Sequence, residues 1–262
     1  MKFSTTQPAR PIAAFTMMEI AICLAIIGFA LVAIIGVLPI GLNTQRDNRE
    51  ETIINQEATV LLEAIRSGSR GADDLTNYVY AIAVTNKAGV NIGYINQTLA
   101  GQMNFSKAIT FPTVNQWYST LTSGARIIGL LSTPEYTDKN GNAVYDPNLA
   151  VYTNYVRACV RSISGLAAEK PPQQNDIMVG DSFAYQLYCV NAPIPTTGAL
   201  TGFAKQLAAN QHELRLTFLW PQLPNGNLGS GRQTFRTLVA GQLVQTNLNY
   251  FYYQSQSFTN VP

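Results

Sequence analysis

Few residues in this chain of 262 could carry catalytic chemistry. His212 is the only histidine, and the three cysteines (Cys23, Cys159 and Cys189) form no CxxC pair. A histidine-based triad or a histidine-rich metal site needs more groups than this, and the carboxylates are scattered. We interpret His212 as a lone surface residue, and we expect no enzymatic activity and no cofactor.

Glu19 is unusual because of its position. It is the only formally charged residue between Phe15 and Leu42. A carboxylate inside an apolar helix costs about 2.5 kcal/mol or more unless it is paired, so such residues are functional candidates. Cleavage after Ala14 would create an α-amino group on Phe15, one helical turn from Glu19. The helix dipole also favours an anion in that first turn.

The apolar run around Glu19 predicts a membrane anchor. Its roughly 28 residues, at about 1.5 Å each, exceed the length needed to cross a bilayer core. A signal peptide has a shorter apolar core followed by its cleavage site, whereas here the small residue Ala14 comes first. Lys2 and Arg10 precede the run and hold that end in the cytoplasm. We expect a single-pass inner-membrane protein whose remaining chain lies outside that membrane.

Residues 14–19, Ala-Phe-Thr-Met-Met-Glu, resemble the class III signal of type IV pilins and of the pseudopilins of type II secretion. In that family a small residue, usually Gly, precedes Phe-Thr-x-x-Glu and a long apolar run; here Ala14 replaces the Gly. The resemblance implies cleavage between Ala14 and Phe15 by a prepilin peptidase, and N-methylation of Phe15. It also implies that an inner-membrane assembly platform builds a filament in which Glu19 contacts the N-terminus of a neighbouring subunit.

Three further segments are similar to a narrower group, the large prepilin-like proteins of Verru_Chthon cassettes. They are 38–42 (LPIGL), 212–221 (HELRLTFLWP) and 231–236 (GRQTFR). This second resemblance extends to the C-terminal region and implies little about activity.

One long helix is predicted from residue 15 to 66. Its first part, 15–42, is apolar on all sides, which suits lipid or a filament core. Pro39, flanked by Gly36 and Gly41, removes a backbone hydrogen bond, so we expect a kink or local unwinding there.

The next segment, 43–70, is amphipathic. Apolar residues recur at spacings of four, three and four, and they should pack on a globular head: Ile54, Ala58, Leu61 and Ile65. The charged residues are assigned to the solvent side: Arg46, Asp47, Arg49, Glu50, Glu51 and Glu57. Ser67, Gly68, Ser69 and Gly71 end the helix.

Residues 71–262 are predicted to form that head, after a leader of residues 1–14. Its strand-like segments give an α+β, pilin-like fold with an antiparallel sheet. They are 78–84, 125–131, 152–163, 184–190, 213–220, 233–239 and 243–253. The aromatic end of the last segment, 250–253, suggests cross-strand pairs, with a glycan-binding surface as the alternative.

Two cysteines in the head leave two alternatives open. Cys159 and Cys189 could pair in an oxidising periplasm, which would close a loop of about 31 residues and contribute roughly 3–4 kcal/mol. The other alternative is two buried free thiols.

A turn at residues 138–142 superficially resembles a calcium loop, with Asp138, Asn140, Asn142 and Asp146 as ligands. Its glycine stands at the fourth position and Leu149 at the twelfth, where a calcium loop has its glycine at the sixth and a glutamate at the twelfth. A hairpin turn without metal is therefore the favoured interpretation.

Composition limits the partners. Charged residues make up 12% of the chain and the net charge is +2, with no basic stripe, so no nucleic-acid partner is expected. Two functions remain open. The first is a major or minor structural subunit of a type IV pilus-like filament or secretion pseudopilus, whose partners are other pilin-like subunits, the processing peptidase and lipid before assembly. The alternative is a non-polymerising, membrane-anchored binding or adhesion module.

Overall fold

The computed structural model describes residues 16–68, 72–86, 91–96, 114–163, 183–194, 202–223, 226–246, 249–254 and 257–258. The chain divides into two compact units, one ending at Glu50 and the other beginning at Glu51. The leader and the cleavage pair Ala14 and Phe15 lie outside the described residues.

Helix α1 runs from Met17 to Arg66, 50 residues without interruption. It continues through Gly36, Pro39 and Gly41, so the predicted local unwinding is absent, and the kink stays a prediction. The helix ends where the sequence predicts, because Gly68 adopts a positive φ of +66° that most residues with a Cβ avoid. A Cβ on Gly68 would also lie 2.4 Å from the carbonyl oxygen of Tyr253.

The first unit presents apolar side chains to its surroundings on every side of α1. Met17 is 87% exposed and Phe29 is 81% exposed. The most apolar 18-residue window of the helix has a mean hydropathy of 3.0 and none of it is buried. By length and composition, α1 could therefore anchor the chain in a membrane.

The described residues of the second unit form ten strands and two short helices. The strands are β1 (Val79–Asn86), β2 (Asn91–Ile95), β3 (Gln116–Tyr118), β4 (Tyr136–Thr137), β5 (Tyr152–Arg161), β6 (Ala184–Pro193), β7 (Gln211–Gln222), β8 (Leu228–Ala240), β9 (Gln242–Gln245) and β10 (Phe251–Gln254). The helices are α2 (Gly124–Leu131) and α3 (Phe203–Asn210), and short 3-10 turns lie at Asp73–Asn77 and Pro147–Leu149.

Eight strands form one mixed, mostly antiparallel sheet in the order β3-β2-β1-β5-β6-β7-β8, with β4 paired to β5. Only the β2–β3 pair is parallel among the described strands. Strands β9 and β10 form a separate hairpin. The predicted α+β class with an antiparallel sheet is thus present at this coarse level.

The core of the second unit lies between one side of the large sheet and the end of α1. The four helix residues predicted to pack on the head are all buried, at 0–1% exposure: Ile54, Ala58, Leu61 and Ile65. They join the alternating inner residues of β7 in one apolar cluster: Leu214, Leu216, Phe218 and Trp220. Each large apolar side chain buried here contributes about 1.5–3 kcal/mol.

The segment 125–131, predicted as a strand, is helix α2 instead. Its buried residues Ile127, Ile128, Leu130 and Leu131 follow helical spacing. A short apolar run can satisfy either period, and here tertiary packing decides. Gly124 lets the start of α2 approach the backbone at Ala72 closely, since a Cβ on Gly124 would lie 1.8 Å from the carbonyl oxygen of Ala72.

The predicted last strand, 243–253, is in fact the β9–β10 hairpin. The chain reverses through Asn249, whose φ is +57°. Tyr250, Phe251 and Tyr253 are 3–7% exposed, and the Tyr252 hydroxyl donates to the carbonyl oxygen of Ala125 at 3.0 Å. These aromatic residues belong to the core, so they do not form the glycan-binding surface considered as an alternative.

Candidate functional site

Glu19 and Glu57 of helix α1 each accept several hydrogen bonds, and Glu19 comes first in the chain. Its Oε2 accepts hydrogen bonds from the Thr16 backbone N–H at 2.9 Å and from the Thr16 hydroxyl at 3.0 Å. In return, Thr16 Oγ1 accepts from the Glu19 backbone N–H at 3.3 Å. This reciprocal arrangement is a capping box, which satisfies donors that an isolated helix end would leave unpaired.

The capping of its own helix by Glu19 was not predicted, although the sequence contains the pattern for it. Thr-x-x-Glu before an apolar run is the capping-box pattern. Only Oε2 of Glu19 is used in these bonds, and Oε1 accepts no hydrogen bond from a described residue. Helix capping therefore leaves one carboxylate oxygen available to another partner.

The second carboxylate, Glu57, is completely buried in the other unit. Its Oε1 accepts from the Ser162 hydroxyl at 2.5 Å and from the Ile163 backbone N–H at 2.8 Å. Its Oε2 accepts from the Tyr185 hydroxyl at 2.5 Å. A buried carboxylate is costly unless hydrogen bonds replace its hydration, and both oxygens of Glu57 have such partners. The placement of Glu57 on the solvent side is therefore wrong.

The elements that hold Glu57 come from distant parts of the chain. Ser162 and Ile163 follow the end of β5, and Tyr185 lies near the start of β6, directly beside it in the sheet. Burial, reinforced by the Glu57 carboxylate, raises the pKa of Tyr185 well above its ordinary range. The hydroxyl of Tyr185 consequently stays protonated and remains a donor to Glu57.

A sequence signal for the burial of Glu57 did exist. It lies three residues after Ile54 and four before Leu61, so it shares their side of the helix. Its charge led to its assignment to the solvent side. Glu50, also assigned there, is only 9% exposed, and its Oε1 accepts from Arg46 Nε at 2.9 Å.

Cys159 and Cys189 are both buried, free thiols. Cys189 lies opposite Val156, whereas Cys159 lies opposite Gln186. Three residues along a strand correspond to about 10 Å and reverse the side of the sheet, and a disulfide needs Cα atoms closer than about 7 Å. The register therefore does not support a disulfide, and the alternative of two free thiols matches the structure.

Neither buried thiol has the surroundings of a reactive one. Cys189 Sγ donates to the carbonyl oxygen of Leu131. Cys159 accepts from Gln222, which in turn accepts from the Tyr80 hydroxyl at 2.9 Å. Burial raises the pKa of Cys159 to about 12, so the thiolate needed for redox or nucleophilic chemistry is scarce at neutral pH.

The segment 138–142 is a tight turn held by its own side chains. The Asp138 carboxylate accepts from the backbone N–H groups of Asn140 and Asn142, each at 2.8 Å, and from the Asn142 amide at 2.9 Å. These hydrogen bonds lower the pKa of Asp138, and the bond from the Asn142 side chain has the largest effect. Asp146 caps the 3-10 turn at Pro147. The carboxylates of the calcium alternative are thus engaged in local structure.

His212 is buried in the head at 1% exposure, so its interpretation as a surface residue is wrong. Its ring contacts the rings of Tyr145 and Tyr253 edge to face, at centroid distances of 6.0 and 5.5 Å. Neither ring nitrogen forms a hydrogen bond to a described residue. Burial lowers the pKa of His212 to about 4, and the nearby backbone of Ala209 offsets only part of that effect.

Within the described residues, no group of three or more His, Cys, Asp or Glu side chains could hold a metal ion. The chain matches no protein-family model, no curated protein and no solved structure. Glu19 in the first unit and Glu57 in the second, each with its own set of partners, are the two best-defined candidate sites.

Proposed function

We propose that this protein is a structural subunit of a type IV pilus-like or type II secretion pseudopilus filament. The observation that carries the proposal is an apolar, fully exposed helical segment that begins with the capping box of Thr16 and Glu19. Such a segment needs lipid or other helices around it, because exposed apolar area of this extent is unfavourable in water. In a membrane it is a single span, and in a filament it packs against copies of itself.

The arrangement of Glu19 supports a role in subunit register. Oε2 caps the helix to which Glu19 belongs, and Oε1 is available for the α-amino group of Phe15 from a neighbouring subunit. In an apolar surrounding this ion pair offsets the cost of the carboxylate. A subunit placed out of register would leave the Glu19 charge unpaired, so this ion pair selects one axial offset between neighbouring subunits.

The processing step is tested by mass spectrometry of the protein N-terminus in membrane and sheared-surface fractions. The proposal predicts N-methyl-Phe15 in the sheared fraction. An intact Met1 terminus found only in membranes contradicts it and favours a non-polymerising, membrane-anchored binding module.

The role of Glu19 is tested by two substitutions. Gln can retain the capping box but carries no charge, whereas Ala removes both. If the charge pair sets the register, Glu19→Gln and Glu19→Ala both insert into the membrane and both fail to enter filaments. Normal incorporation of Glu19→Gln would limit Glu19 to helix capping.

A further inference from the structure

The outer side of β7 and β8, opposite the core, carries a positively charged surface. The register places Arg215 opposite Arg236, Thr217 opposite Thr234, and Leu219 opposite Arg232. We call Arg215, Thr217, Arg232, Thr234 and Arg236 the arginine face. The intervening β7 residues point to the other side, into the core.

Arg215 and Arg236 are like charges in directly opposed positions, which destabilises a sheet. Glu213 compensates them incompletely, because its Oε1 lies 3.8 Å from Arg215 Nε and 3.6 Å from Arg236 Nη1. Glu135 adds a contact to Arg215 at 3.5 Å. Good charge-assisted bonds are shorter, about 2.7–2.9 Å, so positive charge remains uncompensated.

Strand β8 extends this charge along an exposed line. The side chain of Arg236 is 67% exposed, and Arg232 forms no ion pair with any described carboxylate. Four residues along a strand separate the two by about 13 Å. Between them, the hydroxyls of Thr217 and Thr234 lie 2.9 Å apart and share one hydrogen bond, so one hydroxyl hydrogen remains for another acceptor. The arrangement suits two neighbouring carboxylates on one surface better than a single small anion.

The same unit also carries such carboxylates. Asp73 and Asp74 are adjacent and exposed at the start of the 3-10 turn after α1. Within the described residues, neither forms an ion pair. Because no ion pair joins them to the arginine face within the described residues of one chain, a contact between the two surfaces would join two copies.

We infer that the arginine face of one subunit binds Asp73 and Asp74 of a second copy. This inference rests on the proposed function and deepens it. Because the two surfaces differ, the contact is heterologous, and repetition of a heterologous contact builds open helical filaments unless it closes into a ring. Charge complementarity of this kind mainly supplies specificity and the rate of association.

The test uses full-length protein in cells with charge-reversed surfaces. Arg232→Glu combined with Arg236→Glu should lower the amount of sheared filament by about tenfold or more, with N-methyl-Phe15 still formed in the membrane. Asp73→Arg with Asp74→Arg should have the same effect. All four substitutions together restore complementary charges and should recover filaments, which a folding defect would not do.

A matched control reverses two cations elsewhere, Lys139→Glu with Lys205→Glu, and should leave filament yield unchanged. If the control loses as much filament as the reversed arginine face, or if the fourfold variant fails to recover, the inference is overturned.

A photo-crosslinking amino acid at position 232 identifies the occupant directly. A crosslinked peptide that contains residues 73 and 74 of a second copy supports the inference, and a crosslink to a different protein, to a polysaccharide or to another part of the copy overturns it. If the wild type is absent from sheared filaments, the proposed function itself fails. The crosslink in the membrane fraction then still decides whether the two surfaces meet.

Discussion

Glu19 and Glu57 lie on one helix, yet they acquire their partners in opposite ways. Glu19 is exposed and, among the described residues, bonds only to Thr16, three residues away. Glu57 is buried and bonds to residues more than 100 positions later in the chain. The first arrangement needs only a helix end, whereas the second needs the folded sheet.

This difference determines what each carboxylate can do. Glu57 has hydrogen bonds to both oxygens, so within the second unit it stabilises one position of the C-terminal part of α1 on the sheet. Oε1 of Glu19 accepts no hydrogen bond from the described part of the chain, so Glu19 can respond to a partner. A buried group must be satisfied within the fold, because an unpaired one costs about 1–3 kcal/mol or more, while an exposed group can remain available.

The largest effect is expected from removal of Glu57. Glu57→Ala removes the acceptor that three donors share in and beside the core, and it should lower the free energy of unfolding by about 3–5 kcal/mol. Chemical unfolding of the full chain in detergent, followed by tryptophan fluorescence, measures the change. Glu63→Ala, on the exposed side of the same helix, should cost about 0.5 kcal/mol or less. If both variants lose the same free energy of unfolding, the buried carboxylate stabilises the fold no more than the exposed one does.

A second prediction contrasts Glu57 with His212, whose buried ring nitrogens accept or donate no hydrogen bond among the described residues. Burial places the pKa of His212 at about 4, below the ordinary value of about 6.5. Between these values the unfolded chain binds a proton that the folded chain does not, so stability falls as pH decreases. At pH 4 the loss attributable to this group is about 3 kcal/mol.

His212→Phe keeps an aromatic ring between the tyrosines and removes the titration. Because the chain has one histidine, the difference between variant and wild-type unfolding free energies from pH 7 to pH 4 isolates it. The variant should lose less stability on acidification. Parallel pH profiles would show that His212 remains accessible to protons in the folded chain.

The smallest effect is expected at the helix start. Glu19→Ala removes the capping box and should destabilise the first turn of α1 by about 1 kcal/mol, which corresponds to roughly fivefold faster amide exchange there. Glu19→Gln should retain most of the protection. Hydrogen exchange in detergent micelles compares the two variants with the wild type. Equal exchange rates in all three proteins would show that the capping box does not stabilise the first turn.

Local patterns in the sequence predict the elements with a strong period. The face formed by Ile54, Ala58, Leu61 and Ile65 is buried as expected. In β7, every second residue is buried, as the alternation in its sequence predicts. The short apolar run 125–131 fits both a strand and a helix, so its own residues cannot decide between them. Of the two candidate sites, Glu19 is singled out by its charge in the apolar run, whereas Glu57 was wrongly assigned to the solvent side.

The sequence by itself determined the long apolar helix and its first turn, because helix periodicity and capping depend on residues a few positions apart. Only the tertiary structure decided which polar residues became buried. The partners of Glu57, the aromatic surroundings of His212 and the separation of Cys159 from Cys189 all depend on strand register. Register places residues far apart in the chain beside one another, and no local pattern specifies those pairs.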